Sequence, residues 1–195
     1  MDDIQLIDLI RENEQLAFRE LVKKYQTLVI NTCYGFVHNI DDAQDIAQEV
    51  FIEVHRSVGK FRQDAKLSTW LYRISINKSI NYLRDHKKKK WFFNLDILFE
   101  KDEVETKQFL LDESPQDMLE KEEDKLAIYK AIDNLPENQK IAFTLFKYDE
   151  LSYKEIAEVM NISLSSVESL MFRAKKNLQQ KLITIYKRNK INASF

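Results

Sequence analysis

Scarce glycine and proline constrain the fold of this sequence more than any other feature. Only Gly35, Gly59, Pro115 and Pro136 occur among its 195 residues. Proteins built from many strands need many turns, and turns depend on these residue types because they adopt the required backbone angles. A chain with so few of them is expected to be mostly helical. Its hydrophobic fraction of 44% is enough to bury an ordinary globular core.

Apolar residues at helical spacing predict a first group of helices between Ile4 and about residue 88. They recur at i, i+3, i+4 and i+7, which places them on one face of a helix. The clearest helix follows Asp41 and Asp42, whose side chains are expected to cap its first turn. This pattern predicts a compact helical domain over residues 1–88.

A second group of predicted helices follows a segment that lacks a clean helical period. Ser114 and Pro115 are expected to start it, as an N-cap and a first helical residue. Pro136 is expected to start another helix of the same group. Residues 89–113 between the two groups predict a flexible acidic linker. The second domain is therefore expected to span residues 114–195.

Charge is distributed in blocks, although the net charge is only -2. Between Arg56 and Lys90 the only acidic residues are Asp64 and Asp85, and residues 169–195 contain none. Such blocks are typical of surfaces that bind a polyanion such as nucleic acid. The sequence thus predicts two basic binding surfaces joined by an acidic spacer.

The segment 151–178, LSYKEIAEVMNISLSSVESLMFRAKKNL, has the pattern of a helix-turn-helix. Ser152 with a glutamate three residues later is a capping box, and Asn161 suits the left-handed residue of the turn. Ser165 and Glu168 are expected to form a second capping box at the start of the second helix. In DNA-binding proteins this second helix enters the major groove. A plain helical hairpin within a bundle is the alternative interpretation.

The second helix of this unit is expected to present a polar and basic face to DNA. Arg173 could pair with guanine or contact a phosphate, and the sequence does not choose between them. Glu168 could accept a hydrogen bond from a cytosine amino group, or it could only cap the helix. The residues expected on this face are Ser165, Ser166, Glu168, Ser169, Phe172, Arg173, Lys175 and Lys176.

Three blocks of the sequence resemble, in the same order, those of the extracytoplasmic-function (ECF) sigma factors of the sigma-70 family. They are DAQDIAQEVFIEVHRSVGKFR (42–62), LSTWLYRISINKSINYLR (67–84) and LPENQKIAFTLFKYDELSYKEIAEVMNIS (135–163). The resemblance implies an all-α protein with two small helical domains, a region 2 bundle and a region 4 helix-turn-helix. It also implies a bacterial sigma factor that binds core RNA polymerase and directs it to promoters.

The resemblance further implies how each domain acts. Region 2 would read and open the promoter −10 element, and region 4 would read the −35 element and contact the β flap of the polymerase. Asp45, Gln48 and Glu49 would dock on the clamp helices of the β′ subunit. A solvated helix face is the alternative for these three residues.

An opened promoter needs a site that traps an unstacked base. Phe61, Lys66, Trp70 and Asn77 match the family positions that form such a site, although Phe61 and Trp70 could equally belong to the core. Phosphate contacts, which position the protein without specifying sequence, are expected from Arg56, Arg62, Arg73, Lys78 and Arg84.

Enzyme chemistry finds little support in the sequence. His38, His55 and His86 lie far apart, and nothing around Cys33 has metal-ligand spacing. We therefore expect no catalytic residue, no metal and no cofactor. A lone cysteine and the lack of a signal or membrane-spanning stretch favour a cytoplasmic protein without membrane insertion.

Two other functions remain compatible with the sequence. A helix-turn-helix repressor would bind a palindrome without polymerase, and a protein-binding adaptor would use the apolar segment Trp91–Phe99. An anti-sigma factor is a further candidate partner of a sigma factor.

Two residues depart from the family pattern, since Glu168 and Leu170 stand where a basic residue and an arginine are frequent. The −35 sequence therefore cannot be carried over.

Overall fold

A computed structural model describes residues 2–12, 14–61, 64–96 and 115–192, with only the backbone given for 87–96, 115–123 and 186–192. The described residues form helices and no strands, as the low glycine and proline content predicts. The α-helices are α1 (Asp3–Arg11), α2 (Gln15–Val37), α3 (Ile40–Ser57), α4 (Leu67–Asp96), α5 (Pro115–Asp133), α6 (Glu137–Lys147), α7 (Tyr153–Met160) and α8 (Leu164–Asn192), with a short 3-10 helix at Val58–Lys60.

Helices α1 to α4 form a bundle around one apolar core. The predicted amphipathic pattern of α3 is confirmed, because every apolar residue of its inner face is buried, from Ala43 to Val54. Its predicted cap is wrong. Asn39 caps the helix, and its side-chain oxygen accepts a hydrogen bond from the Asp42 N–H at 3.0 Å. Asp41 and Asp42 lie inside the first turn, where negative charge favours the helix dipole.

Helix α4 is longer than the sequence pattern indicated. It continues to Asp96, so the predicted domain end at residue 88 falls within a helix. Helix α5 begins at Pro115, which confirms proline as its first residue. Residues 97–114 lie outside the described residues. They contain most of the predicted acidic linker and Ser114, the expected N-cap of α5.

The helix-turn-helix of α7 and α8 follows the prediction closely. Ser152 and Glu155 form the predicted capping box, and the hydrogen bonds from Ser152 lower the pKa of the Glu155 carboxyl. Asn161 takes the left-handed conformation, with φ 54° and ψ 48°. Pro136 precedes α6 rather than starting it, and the first helical residue is Glu137.

The predicted capping box at the start of α8 is wrong. Helix α8 starts at Leu164, two residues earlier than a capping box of Ser165 and Glu168 would place it. The Ser163 hydroxyl accepts a hydrogen bond from the Ser166 N–H at 3.2 Å and so acts as the cap. Serine recurs along this segment, so several residues offered the same capping chemistry, and only the turn geometry selects Ser163.

The α1–α4 bundle packs directly against the α5–α8 unit. Arg73 of α4 reaches the carboxyl end of α7, where its Nε donates to the Val159 carbonyl at 2.9 Å and its Nη2 to the Glu158 carbonyl at 2.7 Å. Lys140 of α6, only 8% exposed, donates to the Phe36 carbonyl at 3.2 Å. These contacts give partners to last-turn carbonyls of α2 and α7, of which the Glu158 carbonyl also accepts from the Asn161 N–H at 3.3 Å.

The closest approach between the two units is at Gly35 of α2. A methyl group added there would lie 2.7 Å from Cγ2 of Thr144 and 3.1 Å from the ring of Tyr148. Glycine therefore allows α6 to approach the backbone of α2. Beside it, Phe36, Tyr72 and Ile76 of the first unit share an apolar cluster with residues of the second. We call this contact region, together with its flanking polar groups, the interdomain seam.

A buried carboxyl lies at the seam. The Thr32 hydroxyl lies 2.8 Å from Oδ1 of Asp149 and 2.9 Å from the Leu28 carbonyl oxygen. One hydroxyl proton shared between two acceptors makes two weak hydrogen bonds rather than one strong one. If Asp149 is protonated at Oδ1, its O–H donates to the Thr32 hydroxyl, and that hydroxyl is free to donate to the Leu28 carbonyl. Burial raises the pKa of Asp149 to about 7, which favours the same state.

An aromatic group flanks this carboxyl. His38 stacks on Tyr129 with ring centroids 4.0 Å apart, and Tyr34 donates or accepts a 3.2 Å hydrogen bond with the Tyr129 hydroxyl. Burial lowers the pKa of His38 to about 4, so its ring is neutral near pH 7. His38 also ends α2 in a left-handed conformation, with φ 58°.

Candidate nucleic-acid interface

Helix α8 presents the face that the sequence predicts for DNA contact. Its inner side is held by Val167, Met171, Ala174 and Leu178, all buried against α5, α6 and α7. This inner stripe fixes the rotation of the helix and turns the opposite side to solvent. The structure brings the predicted residues together there, and all are exposed: Ser165, Ser166, Glu168, Ser169, Phe172, Arg173, Lys175 and Lys176.

Two side chains of this face have defined surroundings. Phe172 is 72% exposed, which is unusual for a large apolar residue and leaves its ring available to a ligand. Arg173 folds back along the helix, and its Nε donates to the Ser169 carbonyl at 3.1 Å. That single bond leaves most of the guanidinium donors free for a base or phosphate.

The predicted aromatic pair of the first unit is packed rather than open. Phe61 is 6% exposed, and its ring centroid lies 5.0 Å from that of the half-buried Trp70. Arg11 of α1 donates to the Phe61 carbonyl at 2.5 Å and holds the chain against the bundle. In this conformation Phe61 is a core residue, which was one of the two roles open to it. Lys66 and Asn77 are exposed.

The predicted phosphate contacts of the first unit have several different partners. Arg56 is exposed, whereas Arg73 is bound to the α7 carbonyls described above. Lys78 lies 3.5 Å from a carboxylate oxygen of Glu53, and Arg84 lies 3.9 Å from Glu137. Arg62 lies outside the described residues. Only part of this set is therefore directed toward solvent.

The predicted polymerase-docking residues share the outer face of α3. Asp45, Gln48 and Glu49 are all exposed, and the residues between them, Ile46 and Ala47, are buried in the bundle. Glu49 lies 3.9 Å from Lys78, which is a long ion-pair contact beyond hydrogen-bonding distance. The face is thus solvated and free of packing contacts, which both interpretations of the sequence allow.

Sequence reasoning missed the interdomain seam. Thr32, Gly35, His38 and Asp149 each look ordinary in the sequence, and their proximity depends on how two separate units pack. The weak signal was Gly35, a glycine placed among apolar positions of α2, whereas Asp149 lies in the turn after α6. Within the described part of the chain, no helix is long and apolar enough to cross a membrane. The same residues contain no group of three histidine, cysteine or carboxylate side chains able to hold a metal.

Comparison with known proteins matches both units. The family model described as Sigma-70 region 2 covers residues 21–89, and the model described as Sigma-70, region 4 covers residues 125–178. The chain is 36% identical to the RNA polymerase sigma-H factor of Pseudomonas aeruginosa, over 92% of this chain and 93% of that protein. It is 32% identical to the ECF RNA polymerase sigma-E factor of Escherichia coli K12, over 96% and 98%.

Solved structures share the fold. The structure of CnrH in complex with the cytosolic domain of CnrY superposes with a TM-score of 0.64 at 20% identity, covering 93% of this chain and 97% of that one. The sigma factor RpoE of Bartonella quintana, in complex with the anti-sigma factor NepR, gives a TM-score of 0.56 at 19% identity, covering 85% and 96%.

Proposed function

Because the chain belongs to the ECF group of the sigma-70 family of RNA polymerase sigma factors, we propose that it binds core RNA polymerase and directs it to specific promoters. The observation that supports this most strongly is the geometry of α7 and α8. A capped helix, a left-handed turn residue and a second helix with a wholly exposed polar face form a unit that fits the major groove. The protein then acts by binding, without catalysis, in the cytoplasm where transcription occurs.

Each predicted residue takes a role in this proposal. The exposed face of α8 reads the −35 element, and the Phe61–Asn77 region reads and opens the −10 element. Asp45, Gln48 and Glu49 dock on the β′ clamp helices, while region 4 contacts the β flap. An anti-sigma factor is a candidate partner. The basic side chains of α4 contact phosphates, which fix register without reading sequence.

Promoter binding on this proposal requires the two units to separate. Promoter elements two helical turns apart lie about 70 Å from each other, and units that pack together cannot reach both. Arg73 favours the same conclusion, because the packed arrangement commits two of its five guanidinium donors to the α7 carbonyls and holds the side chain against the second unit. The packed arrangement is therefore a state of the free protein, distinct from the promoter-bound one.

Run-off transcription tests the proposed function directly. The purified chain is added to core RNA polymerase on fragmented genomic DNA, and transcript starts are mapped. Defined starts that share upstream elements and require the chain are expected. Stable binding to a palindrome without polymerase, with no new starts, would instead identify a repressor.

A docking variant tests the assigned polymerase face. Changing Gln48 and Glu49 to Ala should weaken co-elution with core polymerase and leave thermal unfolding nearly unchanged, since exposed substitutions usually shift stability by less than about 0.5 kcal/mol. The matched control changes Glu20 and Gln26 of α2, which are equally exposed and chemically identical. Equal polymerase binding by both variants would contradict the assignment.

A further inference from the structure

Glu168 occupies an unusual position on the exposed face of α8. It lies in the second turn of the helix, where side chains of a recognition helix reach base edges. It does not cap the helix, because Ser163 performs that role. Its carboxylate makes no hydrogen bond or ion pair with any described residue. The structure therefore removes the capping role that the sequence had left open.

An unpaired carboxylate on a DNA-facing surface has few favourable neighbours. Phosphates repel it, and the nearest cation on the same face, Arg173, donates through its Nε to the Ser169 carbonyl instead. Binding DNA would strip water from this carboxylate, which is costly unless a donor replaces that water. The only strong donors that the major groove offers are the amino groups of cytosine and adenine.

The two amino groups are not equivalent for a carboxylate. Adenine presents its N6 amino group beside the N7 acceptor, whose lone pair faces and repels a second carboxylate oxygen. Cytosine presents its N4 amino group without an acceptor of its own on that edge. A group that only accepts hydrogen bonds therefore favours cytosine, while an amide, which both donates and accepts, favours adenine.

We propose that Glu168 is a specificity-determining residue that accepts a hydrogen bond from the N4 amino group of a cytosine in the −35 element. This inference rests on the proposed function, since it needs α8 to lie in the major groove of promoter DNA. It assigns a base preference to the position where the chain departs from the basic residue frequent in its family. Promoters of this protein should then carry a cytosine where a basic residue would select guanine.

The test uses the full chain with core RNA polymerase and a promoter library randomised across the −35 element. Wild type, Glu168→Gln and Glu168→Ala are compared by sequencing the bound fraction. Wild type should favour cytosine at one position by about tenfold. Glu168→Gln should shift that position toward adenine, and Glu168→Ala should remove the preference there while leaving the other positions unchanged.

A matched control separates charge from base reading. Glu158→Gln on α7 removes the same charge from an exposed residue of the same unit. Both glutamine variants should bind sequences without the preferred cytosine somewhat more tightly, because a repulsive charge is gone. Only the Glu168 variants should alter base preference. Unchanged base preference in Glu168→Ala would overturn the inference, whereas failure of wild type to select any promoter would overturn the proposed function itself.

Discussion

Replacing Gly35 with Ala should open the interdomain seam while strengthening the helix that carries it. The added methyl group would lie 2.7 Å from Cγ2 of Thr144, closer than real side chains approach. Neither neighbour can move easily, since Thr144 is fully buried and Tyr148 is held among Tyr34 and His38. Extra volume in such a packed site costs about 1–3 kcal/mol.

Gly35→Ala affects two equilibria differently, namely the packing of the two units against each other and the unfolding of the first unit. The steric cost applies only to the packed state, so it shifts the balance between packed and separated units by roughly 5-fold to 150-fold, corresponding to about 1–3 kcal/mol. Alanine in place of glycine inside α2 stabilises the helix by about 0.5–1 kcal/mol in both states. The first unit should therefore unfold at a higher temperature even as the seam opens.

Small-angle X-ray scattering with thermal unfolding measures both effects. Gly35→Ala should increase the radius of gyration and resolve separate unfolding transitions for the two units. The control is Gly59→Ala, because a methyl group there meets nothing within 4 Å. Adding Thr144→Ser, which removes the clashing Cγ2 and keeps the hydroxyl, should restore much of the compact form. Scattering identical to that of Gly59→Ala would refute the steric argument.

Two further predictions follow from the seam and from α8. Burial raises the pKa of Asp149 from its ordinary value of 3.8 to about 7, so its contribution to stability is fully present below pH 4 and lost as pH rises through 7. Asp149→Asn should therefore gain stability relative to wild type between pH 5 and pH 8, by at most about 3 kcal/mol in urea titrations, and a constant difference would contradict the protonated state. In holoenzyme binding to a −35 library at two salt concentrations, Arg173→Ala should cost about 1–3 kcal/mol and relax one base position, whereas Lys181→Ala should only reduce the salt slope by about 1. An unchanged base preference in Arg173→Ala would make Arg173 a phosphate contact.

Local patterns in the sequence were sufficient to predict the helices and the helix-turn-helix. The apolar face of α3, the capping box at Ser152 and the left-handed Asn161 depend on residues within a few positions of one another. Caps were less predictable, because Asn39 and Ser163 compete with chemically similar neighbours and only the local backbone path selects between them. The exposed face of α8 followed from the same periodicity.

The interdomain seam could not be predicted in this way. Thr32 and Asp149 lie far apart in the chain, and nothing near either residue indicates the other. The raised pKa of Asp149 arises from burial by a second unit, a property that neither local segment possesses. Residue roles that depend on separation of the two units, such as that of Arg73, are likewise invisible in the sequence and remain predictions.

The composition of the seam determines how readily the two units can separate. Exposing Phe36, Tyr72 and Ile76 opposes separation, at a cost of roughly 1.5–3 kcal/mol for each side chain that becomes fully solvated. The polar groups act in the other direction, since both ring nitrogens of His38 and Oδ2 of Asp149 are buried without a hydrogen-bond partner and would regain water. The balance is a small difference between these effects. On the proposed function, contacts with polymerase and promoter must supply that difference, so the seam lowers the apparent affinity for DNA in proportion to the fraction of separated molecules.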